Sequence, residues 1–364
     1  MAERDFDASE QLLDQVRQAL ADDRPLCIQG SASKAFLGRP SAGERLDTRA
    51  HCGIVSYDPT ELVITARAGT PLQTLRAAVE QAGQMLPFEP PAYGEQATLG
   101  GTIAAGLSGP RRPWAGSARD YVLGTRVITG LGKHLRFGGE VMKNVAGYDL
   151  SRLLTGSFGA LGVLTEVSLK VLPKPRACFS IKLSCDAERA LLKLAEWGQQ
   201  PMPISAACHS ADFLYLRLES GEGSVAAAHE RIGGEPIDSA FWDDLNEHRL
   251  PFFAQPEPLW RLSLPNNTGI LDLPGEQLID WGGAQRWLKS SASAASIRQV
   301  VEAVGGHVTC YTAGITSEPF QPLPDLLLRY HRQLKTQLDP QGIFNPGRLY
   351  AQLQARSPEP CRPN

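Results

Sequence analysis

The chain has 364 residues, 42% of them apolar and 21% charged, with a net charge of −3 at pH 7. That length supports two hydrophobic cores, and the composition is ordinary for a water-soluble globular protein. No run of basic residues stands out, so nucleic-acid binding has little electrostatic support.

The opening residues, Met1-Ala2-Glu3-Arg4-Asp5-Phe6-Asp7, are polar and lead into no apolar core of a secretory signal. No apolar run approaches the length that crosses a bilayer, so a cytoplasmic protein without direct membrane insertion is expected. Cys27, Cys52, Cys178, Cys185, Cys208, Cys310 and Cys361 are scattered, with no Cys-x-x-Cys pair. Iron–sulfur and structural zinc sites need clustered thiolates, and the histidines form no His-x-x-His or His-x-His pair. No metal site is expected.

In chain order, Leu12, Leu13, Val16 and Leu20 recur at helical spacing and predict an amphipathic helix over 8–20. Arg24-Pro25 ends it, and Leu26-Cys27-Ile28 reads as a short strand feeding a loop over 29–38. A strand is predicted over 61–67. Thr70 is expected to cap the next helix, with Pro71 in its first position and Gln73 completing a capping box; Gly83 closes that helix.

From Gly94 to Pro175 glycines recur in loops between β-branched runs. In Ala97-Thr98-Leu99-Gly100-Gly101-Thr102, consecutive main-chain amides without bulky side chains suggest an anion-binding nest. Ala104-Ala105-Gly106-Leu107-Ser108-Gly109-Pro110 is a second small-residue loop on which a planar ring can rest. A strand over 119–129, a turn over 130–133, a return strand over 134–137 and a helical segment over 148–154 follow. Gly156-Ser157-Phe158-Gly159-Ala160-Leu161-Gly162 then opens a strand over 163–172 whose weak alternation implies burial on both faces.

After Pro173-Lys174-Pro175, strands over 179–184, 204–208, 213–218, 260–264 and 307–312 alternate with helices over 187–198, 223–232 and 294–304. The start of this region is one β-α-β-β-α-β run. A last helix over 324–337 leads into Asp339-Pro340-Gln341-Gly342-Ile343-Phe344-Asn345-Pro346-Gly347-Arg348, and Ser357 to Asn364 reads as a loose tail.

Taken together, the T-L-G-G loop, the small-S-G-P loop, R-D-Y-V-L-G, K-N-V-A-G-Y-D-L, G-S-x-G-x-L-G-V-L-T-E-V and D-P-x-G-I-F-N-P-G-R resemble the FAD-binding domain of the vanillyl-alcohol oxidase / p-cresol methylhydroxylase superfamily. Within it the chain is similar to the smaller flavin subunits of bacterial glycolate oxidases (dehydrogenases), from Gln29 to Arg348. The resemblance implies an α+β fold: a two-part FAD-binding domain over 1–174, a smaller ferredoxin-like α+β cap over 175–320, a return segment over 321–352 and a tail over 353–364. It implies that FAD is bound by Gln29, Gly30, Ser31, Ala32, Ser33, Lys34, Thr98, Leu99, Gly100, Gly101, Gly106, Leu107, Ser108, Gly116, Ser117, Asp120, Gly162, Val163, Asn345 and Arg348. It further implies a larger flavin subunit and an iron–sulfur subunit as partners, glycolate or a similar 2-hydroxy acid as substrate, and peripheral placement at the inner membrane through those partners.

The chain departs from that pattern in its first loop, where Gly30 stands with Ser31, Ala32 and Ser33 instead of further glycines, and a left-handed non-glycine residue costs about 1 kcal/mol. It also departs at Phe158 and Ala160, in a motif that more often reads G-S-E-G-T-L-G. No histidine occurs in the first loop, so FAD is expected to be non-covalent.

Oxidation of a 2-hydroxy acid needs a cation for the carboxylate and a base for the hydroxyl proton. The paired histidines and carboxylate with which relatives build such a site are missing, so the catalytic residues are unknown. His307, Arg261 and Arg286 are weak candidates, His307 having a structural role as its plain alternative. Trp281, Arg286 and Trp287, with Arg261, form an aromatic and cationic wall facing the flavin, or an interface patch. Arg111-Arg112-Pro113-Trp114 approaches the flavin, or meets a phosphate or a subunit. Three readings stay open: a subunit of the glycolate oxidase complex, a free-standing flavin dehydrogenase or oxidase, and a flavin-free assembly subunit. A nicotinamide enzyme is disfavoured, because no G-x-G-x-x-G sits between a strand and a helix with an acidic residue about 20 positions on.

Overall fold

Leu12, Leu13, Val16 and Ala19 share one side of helix α1 (Ser9–Ala21) and are buried there, as their spacing requires. The computed structural model describes residues 5–139 and 149–353, and the elements below are those of the described residues. Helix α1 covers a small parallel pair, β1 (Leu26–Gln29) and β2 (Glu44–Asp47). Leu26 also bridges Phe344 in parallel, so the far end of the chain completes this layer. Leu26, Leu46, Val163, Ile343 and Phe344 pack with α1 as one core.

The second layer is a five-stranded sheet. Its strands are β3 (Ile54–Asp58), β4 (Val63–Arg67), and, beyond helix α2 (Leu72–Gln81), the two-residue β5 (Gln84–Met85) and helices α3 (Leu99–Ala105) and α4 (Arg112–Ala115), β6 (Val122–Ile128), β7 (His134–Gly138) and β8 (Val163–Lys170). The order is β3-β4-β8-β6-β7, while β5 pairs with β9 (Leu172–Pro173) outside it. Strand β8 is central and largely buried on both faces, which is why its sequence does not alternate. A short helix, α5 (Leu150–Leu153), capped by Asp149, precedes β8; Tyr148 and the rest of K-N-V-A-G-Y lie outside the described residues, as does the tail from 354 on.

Two local expectations are corrected. Thr70 does not cap α2: its hydroxyl accepts from the Gly53 amide (2.9 Å) and donates to the Gly53 carbonyl (3.1 Å), and Pro71 holds the cap position without a side-chain bond. The strand expected from Arg119 starts at Val122, because Ser117 and Asp120 make a reciprocal capping box around the 3₁₀ turn Ala118–Asp120. There the side-chain bonds of a cap outcompete the sheet ladder.

The remaining strands form an eight-stranded sheet from β10 (Ala177–Ser184), β11 (Ile204–Ser210), β12 (Phe213–Ser220), β13 (Glu235–Pro236), β14 (Leu259–Ser263), β15 (Glu276–Asp280), β16 (Gln285–Lys289) and β17 (His307–Cys310). Helices α6 (Ala187–Trp197) and α7 (Glu222–Ile232) complete the β-α-β-β-α-β run, and its strands stand in the order β13-β10-β12-β11. Beyond α8 (Ala240–Asn246), the order β15-β16-β14-β17 with α9 (Ala294–Ala303) repeats that arrangement, with the loop 264–275 where a first helix would stand. The cap is therefore two ferredoxin-like units joined edge to edge through β11 and β15. The second was not legible, because β16 is buried at all five positions and shows no period of two.

Helix α10 (Asp325–Leu338) returns the chain to the first layer. It is tied there by one buried cation: Lys335 Nζ donates to Asp339 Oδ2 (2.6 Å) and to the carbonyls of Ala160 (2.7 Å) and Phe344 (2.8 Å). Asp339 in turn accepts from the amides of Ile343 and Phe344.

The cap meets the first two layers through Leu37, Ala105, Leu107, Trp242, Leu245, Trp287 and Tyr311. Beside this core, Glu89 and Arg111 interlock with Arg217 and Glu219 of β12: Arg111 donates to Glu219 (2.9 Å) and Glu89 (3.2 Å), and Arg217 lies 2.8 Å from Glu89. Glu247, just past α8, accepts from the amides of Ala92 (2.8 Å) and Tyr93 (2.7 Å).

Candidate functional site

Between the small parallel layer and α3 lies a cleft of about 360 Å³, within the roughly 300–1,000 Å³ of small-molecule sites. Its wall is the loop after β1. Among the described residues the amides of Gly30 to Lys34 find no acceptor within the chain, so they remain available to a ligand. Ala32 holds φ +61° there, the strained left-handed geometry expected from a loop short of glycine. Phe158 (φ +51°) and Asn345 (φ +39°) line the same cleft, and such strain concentrates at ligand clamps.

The T-L-G-G segment does something different from the expected nest. It is the first turn of α3, and its amides are already taken: Leu99 donates to the Thr70 carbonyl, Gly100 to that of Ala68, and Gly101 to Thr98 Oγ1. Its glycines serve close packing instead. A Cβ on Gly100 would stand 2.7 Å from the Ala68 Cβ, and one on Gly30 would stand 2.3 Å from Thr98 Oγ1. The amides left without an acceptor thus belong to the loop after β1.

Asn345 and Arg348 line the far wall and are also its fasteners. Asn345 accepts from the Ile28 amide (2.7 Å) and donates to the Phe158 carbonyl (2.7 Å). Arg348 donates to the carbonyls of Arg39 (2.7 Å) and Ala35 (3.1 Å). Lys34 turns its Nζ to the Ala92 carbonyl (3.1 Å), and burial pushes its ammonium down to about 8 against the pull of Glu247. Among the described residues no aspartate or glutamate lines the cleft, while Lys34 and Arg348 do. The lining fits the diphosphate of a dinucleotide, which needs free amides, small residues and no opposing carboxylate.

Of the residues read as cofactor-binding, Gln29, Gly30, Ser31, Ala32, Ser33, Lys34, Thr98, Gly100, Gly101, Gly162, Asn345 and Arg348 come together here. Leu99 and Val163 do not line it; both are fully buried in the cores. Gly106, Leu107, Ser108 and Ser117 border two further cavities, and Gly116 and Asp120 border none of the three.

The second cavity, between Leu107–Pro110 and the cap, measures about 20 Å³, room for a water and no more. It gathers residues that sequence reasoning did not single out. His248 stacks on Phe253 (4.1 Å between centroids) with its Nε2 3.1 Å from the Tyr93 hydroxyl, and burial drives its pKa down to about 3. Asp280 is buried, accepts from the Trp281 amide (2.7 Å) and Gln285 Nε2 (3.0 Å), and burial raises its carboxyl to about 7. Only the Asp-Trp-Gly-Gly turn hinted at Asp280; nothing near His248 in sequence marked it.

The expected wall is split by strand alternation. Trp287 faces the second cavity, whereas its neighbour Arg286 points to the opposite face, wholly buried and donating to the Thr268 carbonyl (2.6 Å). Arg286 therefore reaches none of the three cavities, and exposed His307, opposite Ser263 at the sheet edge, lines none either. Arg261 and Trp281 do meet, at the third cavity. No group of three or more His, Cys, Asp or Glu that could hold a metal forms among the described residues, and none of their helices is long and apolar enough to cross a membrane.

A family model described as an FAD binding domain matches residues 6–138. The chain is 62% identical over 350 residues to the glycolate oxidase subunit GlcE of Escherichia coli K12, covering 96% of this chain and 99% of that protein. It is 39% identical over 122 residues to the glycolate oxidase subunit GlcD of Bacillus subtilis 168, covering 34% of this chain and 26% of that one. A D-lactate dehydrogenase of Anaerostipes hadrus is 36% identical over 129 residues, 35% of this chain and 26% of that protein. Among solved structures, alkyldihydroxyacetonephosphate synthase superposes with a TM-score of 0.64 at 15% identity, over 94% of this chain and 76% of that one, a likeness of fold. With the cleft and these relatives in hand, the chain belongs to the GlcE family of glycolate oxidase subunits and is an FAD-dependent oxidoreductase subunit.

Proposed function

We propose that this subunit holds one non-covalent FAD in the cleft between the β1 loop and α3. We propose further that it works with a larger flavin subunit and an iron–sulfur subunit to oxidise glycolate to glyoxylate. The observation that carries the cofactor reading is a cleft with free amides from Gly30 to Lys34, two cations and no carboxylate in its lining. When bound, FAD supplies a two-electron acceptor for the carbon bearing the hydroxyl. The chain's own part is to bind and orient: Gly30–Lys34 receive the diphosphate, Asn345 and Arg348 tie the surrounding loops together, and the cap covers the Gly106–Ser108 side. The reading assigns 1–174 and 321–352 to the cofactor half and 175–320 to the cap. It places the complex in the cytoplasm, at the inner membrane through its partners.

Non-covalent attachment is supported by a lining that holds no histidine among the described residues, where Cys27 Sγ accepts from Gln29 Nε2 at 3.5 Å. The second cavity's small volume is consistent with a catalytic base for glycolate housed in another subunit. The test is to purify the chain, record its flavin absorbance, denature it and assay the supernatant. Near-stoichiometric released FAD is expected. A colourless chain that takes up no added FAD overturns the cofactor reading, and yellow colour retained on the denatured polypeptide overturns non-covalent attachment. Glycolate turnover should be negligible for the pure chain and should appear on mixing with the partner subunits; turnover by the chain alone refutes the division of labour.

A further inference from the structure

The third cavity, about 210 Å³, is bordered by Arg112, Arg119, Arg261, Trp281, Ser108 and Ser117. Two guanidinium groups lie over the Trp281 ring, Arg112 at 4.5 Å and Arg261 at 5.5 Å from its centroid. Trp281 is fixed in turn by its indole donating to the Gly109 carbonyl at 3.0 Å. Arg261 donates to the Tyr311 hydroxyl (3.2 Å) and Ser263 Oγ (3.4 Å), and its buried Nε finds no acceptor. Among the described residues Arg119 donates to the Arg152 carbonyl, at 3.4 Å.

The nearby carboxylate neutralises this group only in part: Asp120 favours the charge on Arg112 from outside the cavity. Asp120 accepts from the Ser117 amide (2.8 Å) and hydroxyl (2.7 Å) and borders no part of the cavity. Burial, and then the adjacent Arg261, oppose the charge on Arg112 and outweigh the pull of Asp120. Among the described residues the cavity lining itself holds three arginines and no carboxylate; like charges gathered over one ring are mutually repulsive, and a concavity lined by one sign raises the local concentration of the other. A planar fork of guanidinium donors matches the two oxygens of a carboxylate. The cavity is roomy enough for a small acid, whereas the second cavity is not.

We propose that the Arg112–Arg119–Arg261 cavity is a binding site for the carboxylate of a small 2-hydroxy or 2-oxo acid, so that this subunit itself holds a substrate-class ligand. The choice of acid rests on the function proposed above; the anion site rests on the cavity alone. The arginines are positioning residues, and the cavity shares the Gly106–Leu107–Ser108 turn that α3 delivers from the cofactor cleft.

The test is calorimetric titration of the full chain with oxalate, a non-oxidisable two-carbon carboxylate, with inorganic phosphate as a second probe and the FAD content of each sample recorded. Saturable binding is expected, weakened roughly tenfold or more by Arg112→Gln and by Arg261→Gln. Arg119→Gln, at an exposed position, should weaken it with the melting temperature and FAD content unchanged. No saturable oxalate binding up to about 10 mM, phosphate binding as tight as oxalate, or variants that bind like the parent chain would each overturn the proposal. A yellow chain that ignores oxalate removes this site and leaves the cofactor reading. A colourless chain that still binds oxalate does the reverse.

Discussion

Ala32 sits at φ +61° in the loop proposed to offer its amides to the cofactor, and a Cβ in that region strains the backbone by about 1–2 kcal/mol. Ala32→Gly is therefore expected to stabilise the chain by up to about 1 kcal/mol, with more flavin retained through purification; a lower melting temperature would contradict this. Asp280 makes a pH-dependent prediction. Its folded pKa of about 7 lies above its ordinary value of 3.8, so the folded state binds the extra proton between those values and stability falls as pH rises through the window. Each pH unit there costs about 1.4 kcal/mol for this group. Asp280→Asn, with Gln285 turned over to present its carbonyl, should thus gain stability near pH 8 and lose that advantage toward pH 4. An equal gain at both ends would show that burial of the charge is not the cause.

Among elements, α10 shows how one side chain anchors a helix. Lys335 is its buried residue, while Leu326, Leu327 and Tyr330 are exposed. Lys335→Met would leave Asp339 buried without its cation, and a loss of about 3–5 kcal/mol is expected in urea unfolding; a loss below about 1 kcal/mol would mean the ion pair contributes little. Sequence reasoning found α1, β8, α6 and α9 because each has one dominant signal, helical spacing or a doubly buried apolar run. It missed α8 and β16, where Trp242, Gln285, Arg286 and Lys289 are buried through tertiary contacts and no local period records it. It also placed the amide nest at Ala97–Thr102, where glycines were visible, although the Leu99, Gly100 and Gly101 amides are taken by Thr70, Ala68 and Thr98 and the free ones follow Gly30. Glycine content signals close approach as readily as it signals free donors, and only the hydrogen-bond partners tell the two apart.

For the whole molecule, the cap is held by an apolar core flanked by the Glu89–Arg111–Arg217–Glu219 network. Arg217→Leu leaves two acidic groups facing one arginine, and a cost of about 3–5 kcal/mol is expected, together with faster proteolysis between the halves; unchanged stability and protection would assign the docking to the apolar core alone. The cleft itself is closed by residues from opposite ends of the chain: Leu26 donates to the Ile343 carbonyl, Asn345 returns a bond to Leu26, and the Asn345 side chain takes the Ile28 amide across a separation of 317 residues. Contacts so distant in sequence form late in folding. During synthesis the β1 loop emerges long before the segment that braces it, so a growing polypeptide has no finished receptacle for its cofactor until Arg348 has left the ribosome. On the proposed reading, flavin loading waits until the segment that braces the β1 loop has been made.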